Sequence, residues 1–258
     1  MVKIKEFMKQ KNGVYILEKV LNKDKAWLFL NDEIEVPKKA LEILKRVNEG
    51  YPVEYLFEEV WFFGDKFYIK EGVLIPRDDT EVVVERAIKV INEKCKKSDC
   101  LVVDCCTGSG VIAIEIAKHT NAKVIATDIS DIALEVAREN VKLHNLEDRV
   151  EIKKCNLLSC FKEFKNLAIL VANPPYVENS WKKPNEYEPD IAFYGGDDGL
   201  DIVRELINEA KRLKFEAAII EIGYNQKEKL EELGDKFEFF RDLAGNIRGV
   251  EIDFRNNC

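Results

Sequence analysis

The sequence predicts an α/β fold: a doubly wound, mostly parallel sheet, preceded by a small N-terminal helical domain and a β-hairpin linker. Three observations carry this expectation. From Cys100 onward, short apolar runs alternate with amphipathic helical segments, which is how strand–helix–strand units read. One of those runs, Leu167 to Ala172, is apolar without interruption and has the length of a strand buried on both faces, as parallel sheets require. Before residue 58 the apolar residues recur with helical spacing only. The expected division is residues 1–58 as a helical domain for partner docking, 59–75 as the hairpin linker, and 76–258 as the main domain.

The totals narrow the class. A chain of 258 residues with 46% hydrophobic content is long enough for one sizeable α/β domain and a smaller one. No apolar run reaches about 18 residues, so no membrane span is expected. The charged stretch from Met1 to Gln10 lacks the apolar core of a signal peptide, which points to a cytoplasmic protein. The net charge of −8 argues against a protein that grips nucleic acid over its whole surface. The seven cysteines contain no C-x-x-C pair and there are only two histidines, His119 and His144. No metal site is therefore expected, and the cysteines read as reduced thiols, mostly small core residues.

The elements follow in order. Val14, Ile16, Leu17, Val20 and Leu21 form a helical stripe. Pro37 and Gly50 bracket a second helix with Leu41, Leu44 and Val47 on its apolar face. Val60–Phe63 and Lys66–Ile69 flank Gly64-Asp65 as a hairpin. Asp78 and Glu81 have capping-box spacing ahead of a helix containing Val83, Val84, Ala87, Ile88 and Ile91. Arg77 and Glu81 are either helix-start charges or residues that close over a ligand. Strands are expected at Leu101–Asp104, Lys123–Thr127, Arg149–Lys153, Leu167–Ala172, Ala217–Ile222, Phe237–Asp242 and Val250–Phe254. The intervening helices are centred on 111–118, 131–143, 200–213 and 226–233. Residues 179–199 form a polar, acidic loop long enough to suggest a lid.

The fourth strand stops at Asn173-Pro174-Pro175-Tyr176. Neither proline can continue a central strand, so Asn173 sits in a rigid loop at a strand's carboxyl end, where open α/β sheets bind ligands. The Asn173 side-chain oxygen and the Pro174 carbonyl together can accept both hydrogens of a planar –NH2 group, and Tyr176 offers a face for stacking. Two acceptors outside the amide plane favour a pyramidal nitrogen with a freer lone pair, a matter of orientation and electrostatics. The alternative is a plain strand-ending turn.

The loop Cys105-Cys106-Thr107-Gly108-Ser109-Gly110, with Ala113, formally matches a dinucleotide fingerprint, and Asp128 ends the next strand. This arrangement serves NAD and S-adenosylmethionine alike: tight turn, backbone N–H groups, and a carboxylate for ribose hydroxyls. Asp104 is placed for a methionine ammonium, and an –NH2 clamp has use for a methyl donor but none for a hydride acceptor. Asn156 and Leu157 lie where an adenine edge and face would be met.

These residues resemble the release factor glutamine methyltransferases. The resemblance runs from about Leu41. It includes Glu54-Tyr55-Leu56, Leu74-Ile75-Pro76-Arg77, Asp79-Thr80-Glu81, Asp104 with the glycine loop, Asn173–Tyr176, Glu188-Pro189, Gly199-Leu200 and Arg241–Gly245. It implies a Rossmann-like methyltransferase sheet and transfer of a methyl group from S-adenosyl-L-methionine. The acceptor implied is the glutamine amide in the Gly-Gly-Gln motif of peptide chain release factors, a protein methylation tied to translation termination. Carried over by motif, Asp104, Cys106, Thr107, Gly108, Ser109, Gly110, Asp128, Asn156, Leu157 and Asn173 contact the cofactor. Asn173, Pro174, Pro175 and Tyr176 hold the glutamine, with Asn173, Pro174 and Tyr176 catalytic. The chain departs from the family pattern at Cys105 and Cys106, where Leu and Gly are common, and at Asn156, where Asp is. Direct nucleic-acid binding and a membrane role are not implied. The competing reading from the same four clamp residues is an amino-methyltransferase acting on adenine or guanine in nucleic acid; a binding protein that keeps the fold and an NAD-dependent oxidoreductase fit less well.

Overall fold

The computed structural model describes residues 2–95 and 100–256, arranged as two compact units, residues 1–59 and 60–258. The first unit is helical: α1 (Ile4–Phe7), α2 (Gly13–Leu21), α3 (Lys25–Leu30), α4 (Lys38–Asn48) and α5 (Val53–Phe57). Its core gathers Ile4, Phe7, Ile16, Leu17, Leu28, Ala40, Leu44 and Val53. On α4 the buried positions are Ala40 and Leu44, whereas Leu41, expected inside, is exposed. The small Ala40 lets the helix approach, which turns the buried stripe by one position. At Gly13 an added Cβ would lie 2.1 Å from the Phe7 carbonyl oxygen, so the α1–α2 corner admits only glycine.

The second unit opens within β1 (Glu59–Phe62), which is followed by β2 (Asp65–Tyr68). The hairpin turn is Phe63-Gly64, both at positive φ (53° and 83°), one residue earlier than Gly64-Asp65. That is the primed geometry whose twist matches the strands. Phe63 tolerates it because its N–H donates to Glu81 Oε1 (2.7 Å) and its ring sits edge-on to His119, while Phe62 and Phe67 fill the buried face. Glu81 is thereby drawn away from a capping box: Asp78–Thr80 form a short 3₁₀ turn, and α6 (Glu81–Lys94) starts with no side-chain cap.

The main sheet contains β3 (Leu101–Cys105), β4 (Lys123–Asp128), β5 (Val150–Lys154), β6 (Ala168–Ala172), β7 (Ala217–Glu221), β8 (Phe237–Arg241) and β9 (Ile247–Asp253). Their order is β5-β4-β3-β6-β7-β9-β8, and β9 runs antiparallel to both its neighbours. The crossovers are α7 (Val111–His119), α8 (Asp131–Leu143), α9 (Asp201–Leu213) and α10 (Lys227–Glu231). Every residue of β6 and of β7 is buried, as the uninterrupted apolar run predicts for a central parallel strand. The parallel strands reverse direction of growth at β3, the switch point where such sheets bind ligands. Among the described residues no helix is long and apolar enough to cross a membrane.

The cysteines depart from expectation. Cys95 pairs with Cys100 and Cys155 with Cys160 as disulfides, with Cα separations of 5.6 and 5.7 Å, while Cys105 and Cys106 remain free. Each pair is five residues apart; in the second, the turn over residues 156–160, invisible in the spacing rule, brings the thiols together. Cys258 lies outside the described residues.

Asn140, fully buried on α8, joins the hairpin to the sheet. Its Oδ1 accepts from Tyr68 N (2.6 Å), and its Nδ2 donates to Tyr68 O (2.9 Å) and Ser109 O (2.8 Å). Replacing it by an apolar residue takes a partner from two half-buried backbone groups at Tyr68 and from a buried one at Ser109. Asn140→Leu is expected to lower stability by about 3 kcal/mol, read as a reduced urea midpoint; a midpoint unchanged from the parent chain would contradict this account.

Candidate active site

Parallel pairing sets the site's geometry. Cys105 aligns with Thr127 on β4 and with Ala172 on β6, so the loops after these three strands leave the sheet side by side. They surround a cavity of about 260 Å³. Thr107, Gly108 and Ser109 line it from the first loop and Asp128 from the second. Asn156 and Leu157 contribute from the loop after β5, and Asn173 and Pro175 from the loop after β6. Arg77, Thr80, Pro189 and Ile191 complete the wall. Cys106 also lines it. It sits at φ 63°, the left-handed well that a residue with a Cβ enters at a cost, where the family glycine would enter freely.

The first loop is braced from below. Asp104 Oδ2 accepts from Thr107 Oγ1 (2.5 Å) and from Ala113 N (3.1 Å) at the start of α7. Asp104 is fully buried and is not part of the cavity lining; its Oδ1 has no hydrogen-bond partner among the described residues. Burial raises its carboxyl to about 7, against the two hydrogen bonds, which lower it. Asp128 is held by Gly108 N on Oδ2 and Ser130 N on Oδ1, both 2.9 Å; burial raises its pKa and those N–H groups lower it. Each oxygen of Asp128 keeps a lone pair for a ligand hydroxyl. Gly108 (φ 56°) faces open space, whereas Gly110 (φ 85°) faces α8: an added Cβ would lie 3.2 Å from Ala137 Cβ. Gly110 therefore serves helix packing and is absent from the cavity wall.

Asn173 spends its amide group in a defined way. Its Nδ2 donates to Thr80 Oγ1 (3.2 Å), and no hydrogen bond to its Oδ1 is formed among the described residues. Pro174 is buried and Tyr176 half-buried, and neither lines the cavity. The Tyr176 hydroxyl donates to Glu221 Oε1 (2.9 Å); burial, and then the Glu221 charge, push its pKa up. Behind this segment, Gln226 Nε2 donates to Tyr176 O (2.7 Å), and the backbone of 195–199 packs directly on it. An added Cβ at Gly195 would lie 2.4 Å from Pro175 O, and one at Gly199 2.2 Å from Tyr176 O. The 179–199 loop is thus anchored rather than free. Glu188, 3% exposed, accepts from Ile75 N (3.0 Å) and pairs with Arg77 (2.6 Å), which resolves Arg77 as a tether for the loop.

Glu221 and Gln226 carry no sequence signal of a site, each reading as an ordinary residue at the end of an element, and Thr80 figures only within Asp79-Thr80-Glu81, with no role attached. Only the fold brings them to Asn173–Tyr176.

Comparison with known proteins accords with this geometry. Residues 84–174 match the family described as ribosomal protein L11 methyltransferase (PrmA). The release factor glutamine methyltransferase of Clostridium botulinum is 34% identical over 254 residues, covering 92% of this chain and 89% of that protein. That of Dictyoglomus turgidum is 36% identical, covering 90% and 87%. In fold, the chain is similar to the N-terminal domain of human METTL16 in complex with SAH, with a TM-score of 0.51 and 18% identity over 87% of this chain and 86% of that one. A seven-stranded sheet of this topology, and relatives this similar over nine-tenths of the sequence, mean that the chain is a methyltransferase and belongs to the release factor glutamine methyltransferase family.

Proposed function

We propose that this chain methylates the side-chain amide nitrogen of the Gly-Gly-Gln glutamine in peptide chain release factors, with S-adenosylmethionine as donor. The observation that carries the reading is Asn173: its –NH2 is engaged by Thr80, so its Oδ1 is left as an acceptor in the wall of the cavity that Gly108 and Asp128 also line. The names of the relatives support the acceptor, and the fit of the residues supports the donor.

The residues present suit that cofactor. Thr107, Gly108 and Ser109 line the cavity beside Asp128, whose free lone pairs match ribose hydroxyls, while Asn156 and Leu157 suit an adenine edge and face. The buried, unpaired Oδ1 of Asp104 supplies a negative charge for the methionine ammonium; Asp104 and Gly110 otherwise act by shaping the loop. When bound, the cofactor supplies an electrophilic methyl group on sulfur. The protein's part is orientation. Asn173 Oδ1 and the Pro174 carbonyl accept the two amide hydrogens and turn the nitrogen lone pair toward the methyl, and Pro175 and Tyr176 hold the acceptor plane. The product nitrogen then loses its proton to water, so no strong base is required. The reaction belongs in the cytoplasm with its substrate, and residues 1–58 are the docking domain in this reading.

Asn173→Ala is expected to reduce turnover about 100-fold or more while leaving cofactor affinity within about twofold, measured by mass spectrometry of a purified release factor and by calorimetry. Near-normal methylation by the variant refutes the clamp. Transfer to DNA or RNA in place of the release factor would favour the nucleic-acid reading. A second expectation concerns pH. A cationic ligand favours ionised Asp104, whose carboxyl stands at about 7 in the free protein. Binding below pH 7 must therefore release a proton, and calorimetric affinity should rise from pH 6 to 8 and flatten in Asp104→Asn. An affinity that falls over that range contradicts the assignment.

A further inference from the structure

Glu221, at the carboxyl end of β7, is a buried charge that the reaction above does not use. It is 1% exposed. The parallel register pairs Ala172 with Ile220, which brings Glu221 level with Asn173 on the neighbouring strand. Tyr176 donates to Oε1 (2.9 Å), whereas Oε2 is buried and has no hydrogen-bond partner among the described residues. The buried Thr80 hydroxyl is near enough to lower the Glu221 carboxyl, so Oε2 is an acceptor open to its proton. Thr80 Oγ1 in turn accepts from Asn173 Nδ2 (3.2 Å). One carboxylate is therefore bonded to Tyr176 at one end of Asn173–Tyr176 and lies near the hydroxyl that holds Asn173 at the other.

The direction of this chain of hydrogen bonds matters. A hydroxyl has one proton, and an ionised carboxylate can only accept. While Glu221 is charged, its unpaired Oε2 attracts the Thr80 proton, and Thr80 turns a lone pair to Asn173. Asn173 must answer with its –NH2, which leaves the carbonyl end of the amide for the substrate. We infer that Glu221 and Thr80 are positioning residues that set the polarity of the Asn173 side-chain amide, so that its oxygen and not its –NH2 is offered to the acceptor.

Protonation would reverse the order. A neutral Glu221 can donate to Thr80, Thr80 then donates to Asn173, and the amide is held the other way round. Burial lifts the Glu221 carboxyl to about 7; the Thr80 and Tyr176 hydroxyls and the Arg248 charge on β9 lower it, and Asp79 raises it. Arg248 is itself shared between Asp79 and Asp242, at 2.8 and 2.9 Å. The switch thus falls within the range where enzymes work, and turnover should decline below pH 7 as Asn173 is misdirected.

This inference rests on the proposed clamp, and its test separates the two. Thr80→Val keeps the shape of the side chain and removes the hydroxyl; Thr80→Ser restores it; Glu221→Gln removes the charge. With a purified release factor and S-adenosylmethionine, Thr80→Val should lower kcat about 10- to 100-fold, with KM and cofactor affinity within about twofold. Thr80→Ser should recover most of kcat, and Glu221→Gln should lower kcat and abolish its rise between pH 6 and 8. Independently of any acceptor, the side-chain amide NMR signals of Asn173 should shift with an apparent pKa near 7 in the parent chain and not in Glu221→Gln. Wild-type kcat in Thr80→Val, equal impairment in Thr80→Ser and Thr80→Val, or Asn173 signals indifferent to pH would each overturn the positioning role. Failure of the parent chain to methylate the release factor, with the amide signals still responding, would overturn the substrate reading and leave the positioning role standing.

Discussion

The site depends on one constraint: β3, β4 and β6 end in register. With Cys105 opposite both Thr127 and Ala172, three loops that are far apart in sequence leave the sheet at one level, and each needs to reach only a few ångströms to wall a common cavity. Burial enforces the register. A slip of one residue along β6 or β7 would turn their side chains to the opposite faces, and in strands buried throughout there is no solvent side to absorb the mismatch. The prolines after Asn173 then act as a stop. They end pairing where the sheet must open, and they convert a strand into a rigid loop that carries Asn173 at the cavity wall.

The polar groups at the site sit in two tiers. Asp128, Gly108 and Asn173 form the wall, while Asp104 and Glu221 lie buried at the ends of β3 and β7. The buried pair holds the loops and sets where hydroxyl protons point, and both carboxyls are lifted toward neutrality by the same cause, the removal of water. Carboxylates kept near their midpoint respond to a ligand or to pH with a change of charge that exposed ones would not show.

Much of this was legible in the sequence. The strand–helix alternation, the apolar run ending at Asn-Pro-Pro-Tyr, and the glycine loop with Asp128 identify the sheet and its working edge, because each is a local pattern with a local cause. What was not legible is tertiary. Nothing in Leu41 says that Ala40 will be the closer contact, and nothing in Phe63 says that Glu81 and His119 will hold it at positive φ. The same Glu81 abandons its capping role to do so. Thr80 and Glu221 are 141 positions apart and are brought near one another only by the packing of α6 and its leading turn on β7. The two disulfides fall at a spacing with no established reading, and Gly195 and Gly199 declare their purpose only once the backbone of Pro175 and Tyr176 is seen pressed against them.

Asn140 has a consequence for dissecting the chain. Its single amide bonds both to the backbone at Tyr68, the last residue of the hairpin's second strand, and to the backbone of Ser109 in the glycine loop. The hairpin is therefore a structural part of the cavity wall at Ser109, and a shortened protein starting at Pro76 would lose a brace of that wall along with its leading strands. The second compact unit, which begins at Val60, accordingly contains the hairpin whole but for Glu59.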